Sequence, residues 1–328
     1  MSGAPTPKAA SLNNVLRIAT RGSRLALWQA HAVADRLRAV GVGSEIVVIT
    51  TTGDRSQHGP VASGDDSKRQ FVKELEDALL RGDADLAVHS AKDLPVLLPD
   101  GLSVAACLPR EDPRDGMVLR DLAFRERAGL TVTQALASLR PGATIGTGSV
   151  RRAAQLAPLI PAATFAPIRG NVDTRLGKLD AGGFDALVLA CAGLRRLGFG
   201  DRISVPIPVD QCVPAPGQGI VAIEIRLDDE AARGTVRPIH DESAGRALAA
   251  ERAVVAALGG GCQLPLGAFA CEQDGRLVME AIVTSLDGTR SARRSMSGRT
   301  TDPDELGRRL AEALDAEGAG ELLKAIRS

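Results

Sequence analysis

The chain of 328 residues predicts two α/β domains facing each other, followed by a small α+β domain. Three observations carry that expectation. Short apolar runs alternate with stretches of helical periodicity through the first two thirds, the order expected of βαβ units around a largely parallel sheet. A charged, proline-containing segment, Arg110-Glu111-Asp112-Pro113-Arg114-Asp115, interrupts the alternation where a hinge would fall. Past residue 240 the order changes to helix, hairpin and helix. The length suits two or three packed cores.

Residues 15–20 form a short apolar run that stops at Arg21-Gly22-Ser23, after which Leu25, Trp28, Ala32, Val33 and Leu37 recur at helical spacing. Residues 45–51 are β-branched and strand-like. Residues 54–69 read as a long polar loop with the character of a lid, before a helix with Phe71, Val72, Leu75 and Leu79 on one face. Strands follow at 86–89 and 102–107. Beyond the hinge come a strand at 117–119, a helix at 133–139, a strand at 144–146 and a helix at 150–159. A strand at 186–190 and a helix at 193–197 complete that unit. A proline-rich passage, 205–219, leads to a strand at 220–225. The last part holds a helix at 242–258, two strands around Gln273-Asp274-Gly275, and a helix opened by Asp302-Pro303 with Glu305 in its first turn. The expected domains are residues 13–109 with 217–237, residues 114–212, and residues 242–328, after a disordered tail over 1–12.

Lys plus Arg equal Asp plus Glu at 40 each, and six Phe and one Trp are the only aromatic residues. A nucleic-acid partner calls for a basic excess or stacking aromatics, and neither is present. No apolar run reaches membrane-spanning length, and the first twelve residues lack the apolar core of a signal peptide, so no membrane partner and a cytoplasmic location are expected. The cysteines, Cys107, Cys191, Cys212, Cys262 and Cys271, are odd in number and scattered, none at metal-ligand spacing with another Cys or a His. That pattern fits a reducing compartment without structural disulfides or a bound metal.

Four segments carry candidate chemistry. Cys262 lies in Gly259-Gly260-Gly261-Cys262-Gln263-Leu264-Pro265-Leu266-Gly267. A cysteine packed as a small hydrophobe needs no such flank, since each glycine costs backbone entropy. The glycines leave room for something bulky to approach the sulfur, so Cys262 reads as an attachment point. Ser149-Val150-Arg151-Arg152 puts two arginines in the first turn of a helix, where each opposes the macrodipole at a cost of roughly 0.3–1 kcal/mol. Side chains curling into water would explain one such arginine. The pattern recurs at Arg24 after Ser23, and at Arg175 after Asn171 beside Arg169-Gly170. Three strand-end loops of this kind read as seats for anions, and arginine's planar fork favours carboxylates. The fourth segment, His89-Ser90-Ala91-Lys92-Asp93-Leu94-Pro95, follows a strand end, where α/β sheets bind ligands. Lys92 and Asp93 read either as a solvated pair or as a site. Among so many cations, Asp93 suits the stabilisation of positive charge on a substrate better than proton donation.

These segments, with Arg17-Ile18-Ala19-Thr20-Arg21-Gly22-Ser23, the hinge segment, Gly146-Thr147-Gly148-Ser149-Val150-Arg151-Arg152, Arg169-Gly170-Asn171-Val172-Asp173-Thr174-Arg175 and Pro214-Ala215-Pro216-Gly217-Gln218-Gly219, resemble the porphobilinogen deaminase family in the same order. The resemblance runs from about residue 14 to about residue 325. It implies two periplasmic-binding-protein-like α/β domains around a cleft, with a small third domain. The implied activity is hydroxymethylbilane synthase: four porphobilinogen molecules joined head to tail, ammonia leaving each time, on a dipyrromethane cofactor bound to Cys262 through a thioether, then hydrolysis. By the same resemblance Asp93 is catalytic. Lys92, Thr147, Ser149, Arg151, Arg152 and Arg175 would bind the cofactor, while Arg21, Ser23, Gln29, Arg169, Gly170 and Lys68 would receive substrate. The implied partners are porphobilinogen and its linear oligomers, on a monomer. The chain departs from the family pattern at the lid, where Lys68 lacks its usual glycine neighbours and Asp65 and Asp66 enter, and at Gly148. The alternative reading is a non-catalytic small-anion-binding module of solute-binding-protein type, which would have no use for Cys262 or a third domain.

Overall fold

The computed structural model describes residues 15–50, 66–120, 131–259 and 264–327. The expected tail, most of the expected lid loop, and Cys262 itself lie outside the described residues.

Lobe one is a five-stranded sheet of β1 (Leu16–Arg21), β2 (Ser44–Ile49), β3 (Leu86–Ser90), β4 (Leu102–Cys107) and β10 (Val221–Arg226), in the order β2-β1-β3-β10-β4. β1 runs parallel to β2 and β3, but β10 is antiparallel to both of its neighbours. The sheet is therefore mixed, not largely parallel: the chain returns from lobe two and inserts β10 in reverse. Both faces of the sheet's middle are covered, so β3 is a nearly continuous buried run, while β2 at the edge keeps exposed residues. Ile18, Leu86, Val88 and Ile223 pack on Ala30, Val33 and Leu37 of α1 (Arg24–Ala39). Ala19 and Ala87 pack on Leu75 and Leu79 of α2 (Asp66–Arg81). That helix begins before the expected loop has ended, so Lys68 belongs to its first turn and not to the lid.

Lobe two has the sheet order β7-β6-β8-β5-β9. Its strands are β5 (Asp115–Leu119), β6 (Thr144–Gly146), β7 (Thr164–Ala166), β8 (Ala186–Ala190) and β9 (Val205–Ile207), with β5 antiparallel to β8 and β9. Among the described residues four helices cover it: α3 (Val132–Ala137), α4 (Val150–Leu156), α5 (Val172–Asp180) and α6 (Cys191–Arg196). Met117, Ile145, Leu156 and Val188 form the core on one face, and Val118, Leu176, Leu187 and Leu194 on the other. The helix expected over 150–159 tightens into a 3₁₀ turn at Ala157–Leu159, where Pro158 removes a donor.

After α7 (Glu230–Val236) the chain enters the third body. It contains α8 (Glu242–Ala257), the antiparallel strands β11 (Leu266–Gln273), β12 (Arg276–Thr284) and β13 (Ser291–Arg299), then α9 (Pro303–Asp315) and α10 (Ala319–Arg327). Val254, Ala268, Leu277, Met279, Leu310 and Leu314 make its core. β13 and α10 were not expected. β13 carries arginines and serines over one solvated face, which hides its strand period.

The third body is fastened by Glu251 of α8, whose side chain is fully buried. Two guanidinium nitrogens of Arg110 lie 2.6 and 3.3 Å from its oxygens, and the backbone N–H groups of Gly217 and Ala270 donate to it at 2.6 and 2.8 Å. One carboxylate thus joins both inter-lobe crossovers to β11. Glu251→Ala should cost about 3–5 kcal/mol, because it leaves Arg110 unpaired in a buried place. A lower urea midpoint for the variant checks this; an unchanged midpoint would show that the joint carries no strain or load.

Candidate active site

Two crossovers link the lobes side by side, at residues 110–115 and 208–219. Gln218 stitches them: its Nε2 donates to the carbonyl of Pro113 at 2.7 Å and to Asp115 Oδ1 at 3.0 Å. Asp115 has no exposed surface. Arg151 lies 2.7 Å from one of its oxygens and Arg152 2.7 Å from the other. These two guanidinium groups hold its carboxyl far below the usual carboxylate range, although burial alone would raise it. The anion sought at the start of α4 is therefore supplied by β5. Arg151 also donates to the carbonyl of Val213 at 2.7 Å, and Arg152 to that of Val188 at 3.1 Å. The Nε of Arg151 is buried without a partner. Ser149 caps α4, and Thr147 Oγ1 accepts from the Ser149 N–H at 3.3 Å.

Facing this cluster, β3 ends at Ser90 and a single 3₁₀ turn, Ala91–Asp93, presents Lys92 and Asp93. The turn is held from three sides. Gln29, buried on α1, donates to Ser90 Oγ at 2.7 Å. The N–H of Ala91 donates to the carbonyl of Ile220 at 3.0 Å. Gly217, with φ +72°, presses so closely that a Cβ would stand 2.9 Å from the carbonyl carbon of Ala91, so only glycine fits. Lys92 Nζ lies 3.5 Å from Gln218 Oε1.

Arg175 on α5 approaches from lobe two. Burial pulls its guanidinium down to about 10, neighbouring Arg152 adds to that, and the charge of Asp93 opposes it. Its Nε donates to the carbonyl of Gly170 at 2.7 Å. Gly170 has φ +107°, and a Cβ there would strike Thr174 at 2.8 Å. Asp93 of lobe one and Arg152 and Arg175 of lobe two therefore share one electrostatic neighbourhood.

The remaining expected residues are more scattered in role. Arg21 is half-buried at the end of β1, and Ser23 caps α1 by accepting from the Ala26 N–H at 3.3 Å. Arg169 is exposed, and Lys68 lies in the first turn of α2 with its side chain outside the described residues. Arg24, read as part of an anion seat, instead pairs with Asp173 across the lobes at 2.5 Å. Arg196 was not expected at all. It ends α6, donates to the carbonyl of Gly219 at 2.6 Å, and its Nε is buried without a partner. Burial pulls it down to about 10. At a helix C-terminus a cation suits the dipole, so no unfavourable placement marks it in the sequence.

Among the described residues neither Arg175 nor Arg196 forms an ion pair with a carboxylate, and no three of the described His, Cys, Asp and Glu side chains cluster to hold a metal ion. No helix of the described residues is long and apolar enough to cross a membrane. Half-buried, unpaired Arg175 and Arg196 thus line the cleft near Asp93, an arrangement suited to a ligand with several carboxylates.

Comparison with known proteins agrees with that geometry. The family model described as porphobilinogen deaminase, dipyromethane cofactor binding domain, matches residues 16–234, and the porphobilinogen deaminase C-terminal domain matches residues 246–316. Porphobilinogen deaminase of Thiobacillus denitrificans is 44% identical over 315 residues, covering 95% of this chain and 99% of its own. That of Geobacter sulfurreducens is 44% identical over 312 residues, covering 94% of each chain. That of Desulforudis audaxviator is 47% identical over 313 residues, covering 95% of this chain and 97% of its own. Among solved structures, substrate binding domain 2 of Lactococcus lactis GlnP aligns with a TM-score of 0.41 at 14% identity, over 72% of this chain and 90% of its own. Matched nearly end to end by its relatives, the chain belongs to the porphobilinogen deaminase family.

Proposed function

We propose that Asp93 is the catalytic residue of the family's reaction in this chain, and that the cations around it seat cofactor and substrate. The activity is the stepwise head-to-tail condensation of four porphobilinogen molecules with release of ammonia, on a covalently bound dipyrromethane, followed by hydrolysis to hydroxymethylbilane. One observation carries the assignment of residues: the carboxylate of Asp93, from lobe one, acts on Arg175 of lobe two, which lacks any ion pair among the described residues.

The residues present fit a polycarboxylate cofactor, since half-buried Arg175 has no paired anion among the described residues and Arg151 keeps an unpartnered buried Nε. When bound, dipyrromethane supplies the terminal pyrrole to which the growing chain is joined. Lys92, Thr147, Ser149, Arg151, Arg152 and Arg175 hold its carboxylates, and Cys262 holds it covalently. Arg21, Ser23, Gln29, Arg169, Gly170 and Lys68 receive the incoming pyrrole. Asp93, fixed by its three-sided turn, accepts from pyrrole N–H groups and stabilises the cation left as ammonia departs. A preorganised charge in a cleft does this without reorganisation at the moment of reaction. Asp115 acts at one remove, by aiming Arg151 and Arg152.

The three sheets support a division into residues 13–109 with 217–237, 114–212 and 242–328. The buried, unbridged thiols of Cys107, Cys191 and Cys212 are in keeping with a reducing cytoplasm. We take the working form to be a monomer.

Thiol counting tests the attachment. The chain has five cysteines, so denatured holoprotein should titrate four and denatured apoprotein five, and the holoprotein should weigh one dipyrromethane more than its sequence. In the native state Cys107, Cys191 and Cys212 should stay silent at pH 8, because burial pushes their thiols up to about 12. Five reactive thiols in denatured, active enzyme would sink the attachment at Cys262.

Asp93→Asn should keep the cofactor and lower the condensation rate by at least about 10²-fold, the usual loss on removing one preorganised electrostatic group. Arg152→Leu should yield mostly apoprotein with a lower melting temperature. A fully loaded, fully active Arg152→Leu enzyme would show that this helix start does not hold the cofactor.

Asp115 also sets an acid limit. Its folded carboxyl titrates below the unfolded value of about 3.9, so its contribution to stability is complete above that pH and is lost as pH falls towards the folded value. Asp85, Asp112 and Asp185 are shifted the same way. Asp115→Asn should therefore make the acid limb of stability against pH shallower without flattening it; an unchanged limb would contradict the shift.

A further inference from the structure

α1 carries Trp28 one turn beyond Arg24 and next to buried Gln29, which steadies the Asp93 turn. Trp28 is the only tryptophan in a chain without tyrosine, and 40% of its surface is exposed. Its ring belongs to lobe one. The guanidinium of Arg196, from lobe two, sits over it at 5.3 Å from the centroid.

The pair beside it is a control. Arg24 of lobe one lies over Phe199 of lobe two at 5.7 Å, but also pairs with Asp173 at 2.5 Å. There the cation is neutralised, and the contact works as a latch. Arg196 forms no such ion pair among the described residues: the charge of Glu111 reaches it only from farther off, and that carboxylate is engaged by Arg195 at 3.6 Å. It donates to one carbonyl, that of Gly219, and keeps a buried Nε without a partner. A carboxylate in place of the ring would hold the guanidinium more strongly, but would compete with any ligand carboxylate for its N–H groups. An aromatic face attracts the cation electrostatically and leaves its charge and remaining donors available.

We propose that Trp28 is a positioning residue for Arg196: the ring, presented from the opposite lobe, fixes the guanidinium in the cleft as a seat for a carboxylate of the incoming porphobilinogen. Because the two residues belong to different lobes, the seat is complete only when the lobes approach as they do here. Burial of Arg196 without a paired anion makes the same point, since an arriving carboxylate relieves it. The inference rests on the porphobilinogen reading above.

The test uses holoenzyme. Trp28→Leu should raise KM for porphobilinogen about fivefold, with kcat within about twofold of wild type and with cofactor mass and melting temperature unchanged. Trp28→Phe, which keeps an aromatic face, should restore KM to within about twofold. An unchanged KM in Trp28→Leu would overturn the proposal, and so would a raised KM accompanied by cofactor loss or a lower melting temperature, which would mean a structural role. Should Trp28→Leu fail to fold, wild-type emission decides: all tryptophan fluorescence comes from Trp28, and it should change within the first turnover when porphobilinogen is added. Constant emission would overturn the proposal. Wild-type enzyme that consumes no porphobilinogen would instead sink the activity itself, so the two failures are distinguishable.

Discussion

Asp115 accepts from two guanidinium groups and one side-chain amide in a place with no exposed surface, and the meeting of the two lobes follows from that arrangement. Burying ions costs several kcal/mol each, and their attraction offsets this only when the geometry is good and the remaining donors are satisfied. Here the donors reach out from the cluster to Val188 and Val213, and Gln218 reaches to Pro113, so the same contacts fix α4, β8 and both crossovers. One carboxylate against two arginines also leaves a net positive charge at the cleft floor. A chain with equal numbers of acidic and basic residues thus holds a locally cationic cleft.

The third body is keyed to the same place. Gly288, at the turn between β12 and β13, packs so tightly on the carbonyl of Ala154 in α4 that no Cβ would fit. Arg293 donates to the carbonyls of Asp210 and Val209 in the second crossover, and Ala268 of β11 donates to that of Pro214. Val213, between them, takes hydrogen bonds from Arg151 and Gln155. β11 is therefore registered on the arginine helix through a short run of backbone. With Glu251 on the other side, the body that carries Cys262 cannot shift without disturbing both crossovers.

Much of this was legible in the sequence, for reasons that differ by element. The strands at Leu102–Cys107, Thr144–Gly146 and Ala186–Ala190 sit where compact apolar runs place them, because both faces of their sheets are buried. The reversal of β10 was not legible, since a buried strand reads the same in either direction. β7 and β9 are three residues each, too short to show a period. In the cleft, the rule that a cation at a helix start wants an anion singled out Arg24, Arg151, Arg152 and Arg175. It could not say which anion: Asp173 answers Arg24, and Asp115, on a strand far back in the chain, answers Arg151 and Arg152. Arg196 escaped the rule because its end of the helix welcomes a cation. Trp28 looked like one more member of the apolar face of α1, and only the tertiary structure turns its ring outward.

The place of β10 between β3 and β4 has a consequence for the growing chain. β4 ends at Cys107 and β10 begins at Val221, with the whole of lobe two between them. At roughly 5–20 residues per second, that stretch takes about 6–23 s to synthesise. Throughout it, β3 and β4 have no strand to join them, and their apolar edges are open to wrong pairing. Lobe two is continuous in the chain and closes its sheet as soon as β9 emerges. Ribosome-bound chains will therefore hold a finished second lobe beside an unfinished first one, with the Ala91–Asp93 turn waiting on the strand that completes its own sheet.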